Sequence, residues 1–180
     1  MPTLNPAGNP ALDTSARRAG NRSRAVDLVT LLAPSVIGLA SALVTAPAVA
    51  TWYRTLRRPP WTPPDAAFGP VWTTLYLLMG VAALLVGRSR TDPRLVEQVQ
   101  AANALQLALN AGWSVAFFGR RNPAAGLVVI GALWLAIVAT IAADARVDRR
   151  AAALLLPYLA WVTLAMSLNA WIWRENRPRR

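Results

Sequence analysis

The chain has 180 residues, 55% of them apolar, with 19 basic and 8 acidic side chains and a net charge of +11. Every basic residue is Arg, and Cys and His are both absent. Those absences exclude disulfides, zinc sites built on Cys or His, thiol nucleophiles, Ser-His-Asp triads and His or Cys axial ligands to a haem iron.

Residues 1–25 are polar and rich in Pro, Asn, Ala and Arg. They hold too little apolar surface to fold alone and read as a disordered basic tail. Five uncharged runs follow: Leu28–Tyr53, Ala66–Gly87, Gln98–Gly119, Asn122–Ala143 and Ala151–Trp173. A helix of about 22 residues rises about 33 Å, close to the thickness of a bilayer's hydrocarbon layer. A soluble helix of that length shows a charged face; these runs show none. The pattern predicts an all-α integral membrane bundle of five transmembrane helices over residues 26–176, closed by a short basic tail at 177–180. The Arg excess then lies at headgroup level rather than on a nucleic-acid interface. Five crossings put the termini on opposite sides, and Arg divides ten against nine between those sides, so the positive-inside rule leaves the orientation open.

The first helix, about Val26–Ala46, carries Pro34, Gly38, Ala42 and Ala46 as a ridge of small residues suited to close helix packing. The loop behind it reads WYRTLRRPPWTPP and contains Pro59, Pro60, Pro63 and Pro64. Such a segment is stiff and extended. It is either a lid over a cavity mouth, carried by Arg57, Arg58, Trp61, Pro63 and Pro64, or a set of aromatics resting at the interface.

The second helix is expected to start at Gly69-Pro70. It places Trp72, Tyr76, Met79 and Ala83 on one face. The third is the most informative. Asn103, Gln106, Asn110, Trp113 and Phe117 recur at helical spacing, and three of them are amides at membrane depth. An amide facing lipid without a partner costs several kcal/mol. The stripe therefore faces either neighbouring helices or a cavity, and its residues alone leave both open.

Arg120–Arg121 is so short that helices three and four form a tight antiparallel hairpin. The fourth helix, with Gly126, Gly131 and Trp134, reads as a packing element. The fifth presents Pro157, Tyr158, Trp161, Ala165, Leu168 and Asn169 on roughly one side, with a kink expected at Pro157. Trp171 and Trp173 ahead of Arg174 form an interfacial anchor.

The stretches Trp52–Pro64 and FGPVWTTLYLLMG (Phe68–Gly80) resemble the signature of the TspO/MBR family, the tryptophan-rich sensory and translocator proteins. QLALNAGW (Gln106–Trp113), FFG (Phe117–Gly119), PYLAW (Pro157–Trp161), Leu168-Asn169 and WREN (Trp173–Asn176) follow in that family's order. The resemblance covers about Leu28 to Asn176. It implies a homodimeric five-helix bundle with a ligand cavity under the first loop. It also implies porphyrins such as protoporphyrin IX, sterols and isoquinoline or benzodiazepine compounds as ligands. The family's pocket positions fall on Tyr53, Trp72, Tyr76, Asn110, Trp113, Trp161 and Ala165. Gln106 joins them as a further amide on the same face. The family's sterol motif has a tyrosine and then an arginine after Leu-Asn; here Ala170 and Trp171 follow Leu168-Asn169 and Arg174 remains, so cholesterol is not expected at that motif.

The expected function is that of a receptor or transporter binding porphyrin inside a bacterial cell membrane, in tetrapyrrole transport or stress sensing. The alternative is a light- and oxygen-dependent porphyrin-degrading enzyme that uses the cavity tryptophans. No resident cofactor, metal or acid–base catalytic pair is expected; any chemistry would come from the bound pigment.

Overall fold

The computed structural model describes the backbone of residues 10–177 and the side chains of residues 23–177. Its elements are α1 (Pro10–Ala48), continued by a π-helical turn (Val49–Tyr53), then α2 (Asp65–Gly87) and α3 (Pro93–Ser114). A second π-helical turn (Val115–Gly119) extends α3. Then come α4 (Pro123–Asp144), α5 (Arg149–Leu154) and α6 (Leu156–Glu175). The last two form one rod, so five rods build the bundle. Four are long and apolar enough to cross a bilayer: Ser23–Tyr53, Asp65–Gly87, Pro123–Asp144 and Arg149–Glu175. The remaining rod, α3, is the one that carries the amides.

The expected tail falls partly outside the described residues, at 1–9. From Pro10 onward the chain is helical. Ala11, Leu12, Ala16, Arg17, Arg18 and Ala19 are strong helix formers, so the helix extends into the stretch expected as tail. The closing tail, 177–180, is described only at Arg177. Its guanidinium lies 3.3 Å from the centroid of the Trp173 ring, a cation–π contact at the interfacial anchor.

Helix boundaries follow local chemistry. Asp92 caps α3 by accepting from the Arg94 backbone N–H at 3.0 Å, with Pro93 in the first turn. Asn122 caps α4 through the Ala125 N–H at 3.0 Å. Between α3 and α4, Arg121 adopts a left-handed φ of 51°, a strained choice for a side chain that closes the expected tight hairpin. α2 starts at Asp65 rather than at Gly69-Pro70. Pro64 precedes it and Pro70 lies inside the helix, where it costs one backbone hydrogen bond. The rod of α5 and α6 breaks at Leu155, two residues before Pro157, because Pro157 has no N–H to continue the ladder.

The rods form a ring in the order α1, α2, α5 and α6, α4, α3, which closes back on α1. α1 and α2 meet through glycines. A Cβ at Gly38 would collide with the Tyr76 ring, and one at Gly80 with the Leu31 carbonyl. The expected ridge is half realised. Pro34 and Gly38 are buried, but Ala42 and Ala46 are exposed, and Thr45 and Ala48 are buried instead. A strict spacing of four drifts round a 3.6-residue helix, so the contact line alternates steps of four and three. Arg88 ties the same two rods at one end by an ion pair to Asp27 at 2.8 Å.

Candidate ligand site

Helix α3 turns its polar stripe inward. Asn103, Gln106 and Asn110 are all buried, and Phe117 is buried one π-helical turn beyond Ser114. At the centre, Asn110 joins three rods. Its Oδ1 accepts from the Tyr76 hydroxyl on α2 at 2.8 Å, and its Nδ2 donates to the Tyr158 hydroxyl on α6 at 3.1 Å. Trp72 stacks on Tyr76 with centroids 5.4 Å apart and meets Tyr158 edge-on at 6.3 Å. Trp161 lies edge-on to Phe68 at 5.6 Å. Its buried Nε1 has no hydrogen-bond partner among the described residues. Ala165, half-buried, packs against the same core. Gln106 sits one turn away, its Nε2 3.8 Å from the Met79 sulfur and its Oε1 without a partner among the described residues.

A second aromatic group gathers at the loop end, on the two π-helical turns. Phe117 packs edge-on against Trp52 at 5.6 Å and Tyr53 at 6.2 Å, and stacks on Trp113 at 5.7 Å. Trp113 touches both aromatic groups. Its Nε1 donates to Asn169 Oδ1 at 3.1 Å, and Asn169 in turn donates to the Pro123 carbonyl at 2.7 Å. The pocket positions that the family resemblance implies thus fall in two groups bridged by Trp113. π-helical turns recur at functional sites, because an extra residue re-aims the side chains that follow it.

The loop is held down at one point. The Asn176 side chain accepts from the Arg57 N–H at 3.0 Å and donates to the Arg57 carbonyl at 3.1 Å. The Arg57 side chain itself is exposed. Arg58 lies 5.2 Å over the Tyr53 ring and pairs with Asp65 at 3.0 Å, so the loop guanidinium nearest the aromatics is already engaged. Trp61 is exposed at 47%, Pro63 is half-buried, and Pro64 leads into α2. Asn176→Ala is expected to speed hydrogen exchange at Arg57 about tenfold, from the loss of about 1.4 kcal/mol of net hydrogen bonding. Unchanged exchange would mean that Arg58 and Asp65 hold the loop without it.

Beside the central cluster an open groove of about 610 Å³ runs between α2 and α6, past Pro70, Leu75, Leu78, Pro157, Trp161 and Leu164. It faces sideways, toward lipid. No group of three or more His, Cys, Asp or Glu able to hold a metal occurs among the described residues. The structure adds Tyr158, Asn169, Asn176, Asp65 and Phe68 to the neighbourhood of the expected site residues. Tyr158 and Asn169 share the inward face of the fifth rod and were legible there. Asn176 and Asp65 gave no periodic signal, because both act at helix ends.

A comparison with protein families matches residues 30–174 to the TspO/MBR family. The chain belongs to the TspO/MBR family. Among its relatives is the tryptophan-rich protein TspO of Chlorobaculum tepidum, 44% identical over 140 residues, which are 78% of this chain and 89% of that protein. The protein of the same name from Archaeoglobus fulgidus is 41% identical over 151 residues, 83% of this chain and 95% of that one. The translocator protein of Bos taurus is 37% identical over 150 residues, 83% of this chain and 89% of that one. As a TspO/MBR protein with four strongly apolar spans, the chain is a multi-pass integral membrane protein, and its bacterial relatives agree with a bacterial cell membrane.

Proposed function

We propose that this TspO/MBR protein binds porphyrins of the protoporphyrin IX type in the bilayer, as a receptor or transporter in tetrapyrrole transport or stress sensing. The observation that carries the reading is the buried Tyr76–Asn110–Tyr158 triad with Trp72 stacked against it. A flat macrocycle offers an aromatic face for Trp72 and Trp161. Its polar atoms suit amide and hydroxyl groups that otherwise satisfy only one another. The groove between α2 and α6 offers a hydrophobic ligand an approach from the lipid side. Arg57, exposed at the loop, suits a propionate. Homodimer formation belongs to the same proposal.

The relay of Trp52, Phe117 and Trp113 rings, 5.6 and 5.7 Å apart, supports the second reading, porphyrin breakdown under light. Titration of detergent-solubilised protein with protoporphyrin IX and with haem, in the dark and under illumination, tests both. The expected outcome is saturable binding in the dark, with haem bound no more tightly than the metal-free pigment, because the chain offers no His or Cys to its iron. Haem binding with an axial-ligand spectrum and much higher affinity would contradict it. A new pigment that forms only under light and needs Trp113 would favour the enzyme.

A further inference from the structure

Away from the loop, at the opposite end of the bundle, lies a polar pair that the ligand reading does not use. Asp144, the last residue of α4, has no exposed surface. Its Oδ1 accepts from Asn103 Nδ2 on α3 at 2.9 Å, and that nitrogen also donates to the Val99 carbonyl at 3.1 Å. Asp144 Oδ2 and Asn103 Oδ1 are both buried and have no partner among the described residues.

Charged groups do not relieve the carboxyl. On α3, Arg94 and Glu97 are exposed; at the same end of α1 and α2, Asp27 pairs with Arg88 and Arg24 is exposed. On the turn into α5, Arg146 and Arg149 are exposed and Asp148 pairs with Arg150 at 2.9 Å. None forms an ion pair with Asp144 among the described residues. The carboxyl also stands at a helix C-terminus, where the helix dipole opposes negative charge. A buried carboxylate with one amide donor and no cation is costly. Two buried acceptor oxygens, on side chains already hydrogen-bonded to one another, each lack a donor among the described residues.

We propose that Asn103 and Asp144 form a buried proton-binding site. A proton taken up from the aqueous side sits on Asp144 Oδ2 and is donated to Asn103 Oδ1, closing an acid–amide ring in which the amide donates back. A metal cation fits less well. Calcium takes about six to eight oxygen ligands, and α4 brings only one other side-chain oxygen, Thr140 Oγ1.

The chain's composition makes the test clean, since with no His, Cys or Lys few side chains titrate near neutrality. Infrared spectra of the full-length protein in detergent at about pH 5 are expected to show a protonated-carboxyl C=O band that fades as the pH is raised past neutrality. That band should shift in D2O, disappear in Asp144→Asn and survive in the control Asp148→Asn, whose carboxylate pairs with Arg150. The wild-type melting temperature is expected to fall, relative to that of Asp144→Asn, as pH rises from about 5 through neutrality, because a proton held only by the folded chain is then lost. Absence of the band in the wild type, or its persistence in Asp144→Asn, overturns the proposal. So does stabilisation by sodium, potassium or calcium that Asp144→Asn abolishes.

Discussion

Gly80→Val is expected to lower stability by about 3 kcal/mol, the upper end of what overpacking costs. A Cβ at position 80 would strike the backbone carbonyl of Leu31 on α1, and backbone cannot swing aside as a side chain does. The rods must separate, which strips α1 from the Tyr76 side of the bundle, where Gly38 also leaves no room for a Cβ. In membrane bundles close approach of backbones supplies much of the association energy, since lipid is as apolar as the helices. Gly131→Val is the matched control, because a Cβ there meets nothing within 4 Å. Unfolding of both variants by titration with a denaturing detergent, followed by tryptophan fluorescence, reads the difference. Equal midpoints would show that the α1–α2 contact is looser than described.

The second large effect concerns Asn110. Asn110→Leu leaves the hydroxyls of Tyr76 and Tyr158 buried and without their partner. In a soluble core each orphaned hydroxyl costs about 1–3 kcal/mol. Within membrane proteins measured interhelical hydrogen bonds are weaker, averaging about 0.6 kcal/mol, because the unfolded chain in lipid also finds partners. A loss of about 2 kcal/mol lies between these limits. Combining Asn110→Leu with Tyr76→Phe and Tyr158→Phe is expected to recover most of it, since removing all partners together leaves nothing unsatisfied. If the triple variant is no more stable than Asn110→Leu alone, the cost comes from packing and the three groups do not act as a hydrogen-bonded unit.

The stripe of α3 was legible because an amide in lipid has few places to go. Asn103, Gln106 and Asn110 had to face inward, and they do. The five rods were legible from the uncharged runs for the same reason. The ridge of α1 was legible only at Pro34 and Gly38, since spacing names a face and the exact contact line depends on the partner helix. The division of the aromatics into two clusters was hidden. It depends on two π-helical turns, at Val49–Tyr53 and Val115–Gly119, and nothing in those residues distinguishes them from ordinary helix. The Asn176 clamp was hidden too. It joins residues 119 positions apart at the ends of two elements, where periodicity carries no signal. Asp144 escaped notice because a lone acidic residue after an apolar run reads as the helix boundary.

In the proposed porphyrin site Trp72, beside the Asn110 triad, is the pigment's platform. Soret-band titration of protoporphyrin IX into folded Trp72→Ala and Trp134→Ala reads that role. Trp134 is a partly buried residue of α4, its Nε1 bonded to the Thr163 hydroxyl at 2.9 Å. Trp72→Ala is expected to lose about 1–3 kcal/mol of affinity, as other aromatic platforms do, with Trp134→Ala unchanged. Wild-type affinity in Trp72→Ala, or an equal loss in both, would remove Trp72 from the porphyrin site.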